Sequence, residues 1–133
     1  MRSRLLVCLA VVALVVSCVA AIGFARASGT EVDRLSGGPG PDRLLGLGGD
    51  DHLAGMGGDD QLIGGTGNDT IDGGDGVDTL EGGPGDDRLD VGAGGPGELA
   101  DCGPGDDTAI VGPGDRARGC EHVIRRWPAR LGR

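Results

Sequence analysis

The sequence predicts an all-β fold, a parallel β-roll closed by a short C-terminal cap. Three observations carry that expectation. From Gly37 to Asp90 the chain divides without gaps into six nonapeptides: GGPGPDRLL, GLGGDDHLA, GMGGDDQLI, GGTGNDTID, GGDGVDTLE and GGPGDDRLD. Four positions of the unit are fixed in type. Position 1 is Gly (Gly37, Gly46, Gly55, Gly64, Gly73, Gly82) and position 4 is Gly (Gly40, Gly49, Gly58, Gly67, Gly76, Gly85). Position 6 is Asp (Asp42, Asp51, Asp60, Asp69, Asp78, Asp87), and position 8 is a large aliphatic residue (Leu44, Leu53, Leu62, Ile71, Leu80, Leu89). Finally, 30 of 133 residues are Gly, against one Phe, one Trp and no Tyr. Gly at about three times its usual share, with so few bulky side chains outside the first 27 residues, excludes a conventional α/β or helical-bundle core.

Each part of the unit has a physical reading. Gly at positions 1 and 4 permits φ > 0, so the first six residues make a tight turn. Pro39 and Pro84 at position 3 suit a turn and resist helix. The last three residues, such as Thr70-Ile71-Asp72, are a short extended segment. Only position 8 is consistently apolar, so its side chain points inward while its neighbours point out. Two turn–strand units bring the chain back to its starting direction. A full coil therefore takes 18 residues and stacks on the next at about 4.8 Å. Residues 37–90 supply three such coils, with two sheets of three-residue strands and the Leu/Ile column between them.

That register places Asp42 over Asp60, Asp51 over Asp69, Asp60 over Asp78 and Asp69 over Asp87. Stacked carboxylates repel, and between turns they are unfavourable unless a cation lies among them. Hard oxygen ligands and flexible turn carbonyls suit Ca²⁺, whereas zinc would call for His or Cys. Asp50, Asp59 and Asp86 at position 5 read as solvated turn acids, and His52 at the outward position 7 as a surface residue.

The unit resembles GGxGxDxUx, the repeat of the RTX or haemolysin-type calcium-binding proteins. The resemblance is strong over 37–90 and weak over 91–120. It implies that the position-6 Asp side chains and the backbone carbonyls of Gly40, Gly49, Gly58, Gly67, Gly76 and Gly85 bind Ca²⁺ between successive turns, at about four sites. The segment Gly119-Cys120-Glu121-His122-Val123 resembles an ending found in exported actinobacterial proteins with such repeats. Relatives that leave the cell by a C-terminal signal differ from this chain at its N-terminus, so their export route and toxin activity are not carried over.

The ends read differently from the middle. Residues 1–27 have the order of a secretory signal: Met1-Arg2-Ser3-Arg4, then an uncharged apolar run from Leu5 to Phe24, then Ala25-Arg26-Ala27 as the cleavage motif. Cleavage after Ala27 leaves nine Arg against 21 acids. The alternatives are an uncleaved anchor formed by residues 5–24 and a lipoprotein beginning at Cys18. Residues 28–36 read as a flexible lead-in. After Asp90 the repeat frays. Residues 91–96 show no Asp at position 6, a two-residue insertion follows, and Asp107 comes 20 residues after Asp87, where one further weak metal site is expected. Arg116 stands in the next acid slot, and Ile110 and Val111 continue the aliphatic column, displaced. Cys102 and Cys120 are 18 residues apart, one coil, which brings them within disulfide reach. An even Cys pair in an exported domain favours the bond. Residues 121–133 hold Arg125, Arg126, Arg130, Arg133 and Trp127. They read as an end cap in which Val123, Ile124 and Trp127 cover the aliphatic stack, or alternatively as a tail that docks on an acidic partner.

For the whole chain, a net charge of −9 argues against nucleic acid, because phosphate binding needs a basic face. No catalytic constellation stands out, and no membrane span is expected after signal cleavage. The reading is an exported calcium-binding roll whose folding depends on the metal. The alternatives are a cell-envelope or adhesion module stiffened by calcium and an accessory to a secreted hydrolase. The sequence names no protein or cell-surface partner.

Overall fold

The structure, a computed structural model, describes residues 24–26, 29–92 and 94–126. The apolar segment 1–23 with Cys18, and the tail 127–133 with Trp127, Arg130 and Arg133, lie outside the described residues. Among the described residues twelve strands follow one another: β1 (Phe24–Arg26), β2 (Arg34–Ser36), β3 (Arg43–Gly48), β4 (His52–Gly57), β5 (Gln61–Thr66), β6 (Thr70–Asp75), β7 (Thr79–Glu81), β8 (Arg88–Asp90), β9 (Leu99–Asp101), β10 (Thr108–Val111), β11 (Arg116–Arg118) and β12 (His122–Arg125). Odd strands form one sheet in the order β1-β3-β5-β7-β9-β11, and even strands the other, β12-β10-β8-β6-β4-β2. All pairings are parallel, so the chain crosses from sheet to sheet at every turn, as a β-roll requires.

The 18-residue register holds through the repeats: Leu44 pairs with Leu62, Leu62 with Leu80, Leu53 with Ile71 and Ile71 with Leu89. Those six aliphatic side chains are at most 2% exposed. Strand alternation sends position 8 inward and positions 7 and 9 outward, which leaves a core one side chain wide.

Strand length and glycine use differ from expectation. Strands β3 to β6 run for six residues, because pairing continues past the corner, with Leu47 opposite Gly65 and Met56 opposite Gly74. The corner itself lies at position 2, where Gly65 has φ 120°, and a second positive φ falls at position 4, as at Gly67 with φ 123°. Leu47 and Met56 take the same corner at φ 79° and 81°, at a cost on the order of 1–2 kcal/mol each for a side-chain-bearing residue. Position 1 is Gly for a different reason, which is space. A Cβ on Gly55 would press against Asp60 Oδ2 and the Gly73 carbonyl.

Within the segment read as a flexible lead-in, residues 33–36 join the roll. Strand β2 pairs with β4, Leu35 packs against the core, and the Asp33 N–H donates to Asp51 Oδ1 at 2.8 Å. Asp33 and Leu35 thus occupy positions 6 and 8 of a further unit, in which Glu31 stands at the position-4 glycine.

Beyond Asp90 the coils change length. Leu80 pairs with Ala100 and Leu89 with Ala109, so the two-residue insertion is absorbed between β8 and β9. Later coils shorten, with Leu99 opposite Arg116 and Thr108 opposite His122. In this register Ala109, not Ile110, continues the aliphatic column, and Val111 falls at position 1. The acid slot before β11 belongs to Asp115, not Arg116. The cap expectation also changes. β12 joins its sheet as an edge strand and does not fold across the end, leaving Val123 41% and Ile124 50% exposed. Arg126 reaches back to Asp90 at 2.6 Å and ties this edge to β8.

Candidate metal centre

Each position-6 Asp ends a turn and begins a strand, so its side chain falls between successive coils. The structure brings all the expected stacked pairs together, through a contact that sequence reasoning did not supply. The backbone N–H of one Asp donates to the carboxylate of the Asp in the next coil: Asp42 to Asp60 Oδ1 at 2.7 Å, Asp51 to Asp69 at 2.8 Å, Asp60 to Asp78 at 2.9 Å and Asp69 to Asp87 at 2.7 Å. Asp87 continues the series to Asp107 at 2.7 Å, and Asp107 to Glu121 Oε2 at 3.0 Å. Carboxylate therefore sits on main-chain amide, not on carboxylate, which removes part of the expected repulsion.

Only one oxygen of each group is satisfied this way. Oδ2 of Asp51, Asp60, Asp69, Asp78, Asp87 and Asp107 is buried and has no hydrogen-bond partner. Asp42 differs, because its Oδ2 accepts from the Gly38 N–H. An unpartnered buried carboxylate oxygen is costly and calls for a counter-charge or a proton. The titration behaviour agrees. Burial is the first cause in every case, raising Asp51, Asp78 and Asp107, and pushing Asp60 and Asp69 to about 6 and Asp87 to about 7. Neighbouring carboxylates add to the rise, and the accepted backbone N–H opposes it.

Oxygen donors surround those atoms. At position 1, the space where a Gly37 Cβ would stand is bounded by Asp42 Oδ2 and, at 2.6 Å, by the Gly55 carbonyl; the Gly82 position meets Asp87 Oδ2 and the Cys102 carbonyl in the same way. At position 4, the carbonyls of Gly40, Gly49, Gly58 and Gly67 lie against the next coil's Gly58, Gly67, Gly76 and Gly85. The position-4 carbonyls thus line the gaps between turns. The position-1 carbonyls beside Oδ2 are additional and were not foreseen. No three His, Cys, Asp or Glu side chains among the described residues are grouped to hold a metal alone. A cation here must take backbone carbonyls together with carboxylate, an all-oxygen set that fits Ca²⁺.

A family model of the RTX calcium-binding nonapeptide repeat matches residues 28–62 and 63–95, in four copies and over more than half of the chain. The chain belongs to that family. No curated protein and no solved structure gives a significant match. The RTX match begins at residue 28, in agreement with the strand β2 and the Asp33 contact described above.

Around the RTX turns, the position-5 acids have a task of their own. They are exposed, as expected, but they also bridge coils in the opposite sense. The Asn68 N–H donates to Asp50 Oδ1 at 2.8 Å, Val77 to Asp59 at 3.0 Å, Asp86 to Asn68 Oδ1 at 2.9 Å and Asp106 to Asp86 at 3.0 Å. Position-6 side chains reach back one coil and position-5 side chains reach forward, so adjacent residues clamp the turn from both sides. His52 is exposed on β4. Cys102 and Cys120 are disulfide-bonded with Cα atoms 5.2 Å apart. The local coil is one residue shorter than the 18 assumed, since Asp101 pairs with Arg118, and the bond reaches one residue past the register partner.

Sequence reasoning missed Glu98. It occupies the acid slot after Asp78, because the Leu99 N–H bonds the Asp78 carbonyl at 3.0 Å. Glu98 is 1% exposed, and burial, then the Asp115 and Asp78 carboxylates, push it to about 8. The signal was present as the only acid between Asp90 and Asp101, but the insertion hid its register.

Proposed function

We propose that this is an exported protein whose regular coils are held folded by Ca²⁺ bound between successive turns. The observation that carries the reading is the column of buried Oδ2 atoms without partners, those of Asp51, Asp60, Asp78 and Asp87 each beside a backbone carbonyl and a position-1 glycine with no room for a Cβ. The residues divide the work. Asp51, Asp60, Asp69, Asp78 and Asp87 supply charge, with Asp42 contributing less because its free oxygen already accepts a hydrogen bond. Position-1 and position-4 carbonyls complete an oxygen cage, and the backbone N–H bonds hold each carboxylate in place before metal arrives. Bound calcium neutralises the acid column. Calcium modules outside cells work at Kd values of about 10⁻⁴–10⁻³ M, so millimolar calcium outside the cell folds the roll and the cytoplasm leaves it open. Among the described residues no helix is long and apolar enough to cross a membrane. The Arg-flanked apolar start and Ala25-Arg26-Ala27 support export; cleavage after Ala27 would remove β1 and leave β3 as the sheet edge.

The test is calorimetric calcium titration of the protein recovered from outside the cell. Asp60→Ala or Asp69→Ala should lose more calcium than Asp42→Ala, and Asp59→Ala should lose least. Equal losses for Asp59→Ala and Asp60→Ala would defeat the assignment of position 6, and finding the protein only inside the cell would defeat export.

A further inference from the structure

The turn before β9, Val91 to Glu98, carries no nonapeptide motif, yet it repeats the feature that marks the regular turns. Glu98 is 1% exposed, and its Oε1 is buried without a hydrogen-bond partner. In the regular columns the next acid accepts the N–H of the preceding Asp. Here the described residues show no such bond from Asp78 to Glu98. The longer Glu side chain instead places Oε1 beside Gly94, where a Cβ would press against both that oxygen and the Gly76 carbonyl. Two acceptor oxygens, one of them a carboxylate, therefore border the same space. Asp115, 8% exposed, is fixed next to this turn by the N–H groups of Gly97 at 3.0 Å, Glu98 at 3.2 Å and Gly112 at 2.8 Å. Asp78, whose Oδ2 is also unpartnered, adds a third carboxylate to the neighbourhood. The described residues bring no Arg to Glu98 by ion pair.

We propose that Glu98 Oε1, from outside the repeat motif, and the carbonyl of the repeat residue Gly76 are ligands of a further calcium-type cation site, with Asp78 and Asp115 supplying the surrounding negative charge. The proposal extends the calcium reading of the regular turns and shares its cation. Its chemistry follows from the donor set: carboxylate and carbonyl oxygens without nitrogen or sulfur select a hard divalent ion. The bound ion would tie β9 to the last regular turn, at the point where the 18-residue register ends.

The site is tested with Ca²⁺ alone, on the full exported protein and its Glu98→Gln variant, by equilibrium dialysis for stoichiometry and by amide NMR during calcium titration. In the unsubstituted protein the Gly76 and Gly94 amides should shift together with a stoichiometric calcium phase. Glu98→Gln should bind one ion fewer and lose the Gly94 shift, while the shifts of the 37–73 turns and the disulfide persist. Equal stoichiometry in both proteins would overturn the site and assign Glu98 to a protonated, neutral acid. If Glu98→Gln fails to fold, a Gly94 amide that stays still in the unsubstituted protein, while the Asp60 and Asp69 turns respond, overturns it equally. No calcium binding anywhere would overturn the reading of the regular turns as well, a result distinct from loss of this site alone.

Discussion

In the regular coils, position 8 holds Leu or Ile and position 1 holds Gly. In the C-terminal coils, position 8 holds Ala100, Ala109 and Ala117, and position 1 holds Val91, Cys102 and Val111. Val91, Cys102 and Val111 are fully buried, as are Ala100 and Ala109. Bulk has moved from one inward position to the other, so the same backbone path encloses a filled interior in both regions. The exchange has a consequence at the turn. Beside a position-1 Gly there is room for a carboxylate oxygen and a neighbouring carbonyl. The regular half thus sets its acid column beside position-1 glycines, whereas the C-terminal half, where Asp107 Oδ2 and Glu98 Oε1 are also buried without partners, adds an apolar column at position 1 and a disulfide.

The largest expected effect comes from pH without calcium, because several groups move together. Asp60, Asp69, Asp87 and Glu98 all sit above their ordinary values, at about 6, 6, 7 and 8. The folded chain therefore binds more protons than the unfolded chain between about pH 4 and 8, and stability must fall as pH rises through that window. In chelator, the folded fraction read by circular dichroism should be greater at pH 5 than at pH 8. Saturating calcium, which competes with those protons, should reduce or reverse the difference. A metal-free roll that is more stable at pH 8 would contradict the burial of these groups.

Next in size is the aliphatic column. Leu62→Ala should cost about 2–5 kcal/mol, read from denaturant unfolding in saturating calcium. The adjacent position-1 residues are Gly and cannot fill the cavity, which distinguishes this half from the C-terminal one. A loss well below that range would mean that the regular interior rearranges as freely as the C-terminal interior.

Smaller and more local is the disulfide. Removing it by Cys120→Ser should cost about 3 kcal/mol for a loop of this length. The loss should appear in thermal unfolding of the C-terminal coils, while calcium stoichiometry at the regular turns stays constant. A parallel loss of calcium sites would show that the two halves are one cooperative unit.

The coil, its register and the Leu column were legible because the nonapeptide period fixes which residues share a face. The acid column was legible as a set of stacked pairs. Its bonding was not, since nothing in the spacing says that a carboxylate will accept the main-chain N–H of the coil before it. The role of position-1 Gly was misread for a related reason. Absence of a side chain signals either unusual φ or lack of space, and only the structure shows that Gly55 and Gly64 face an oxygen while Gly65 and Gly67 take the positive φ. The unit at Asp33 and Leu35 was hidden because Glu31 breaks the glycine pattern while Asp33 and Leu35 keep the spacing of positions 6 and 8. Glu98, Asp115 and Ala109 were displaced from sight by the insertion, which changes the register without changing the type of residue needed.

The most direct measurement is hydrogen exchange of the exported protein by mass spectrometry, in chelator and in about 10 mM calcium, well above the Kd range of extracellular calcium modules. If cations hold the acid column, the amides of β3 to β8 exchange freely in chelator and become protected in calcium. The amides of β9 to β11, backed by Val91, Val111 and the Cys102–Cys120 bond, keep measurable protection in both conditions. Equal protection of β3 to β8 with and without calcium would contradict the account, and would assign the fold to its aliphatic stack alone.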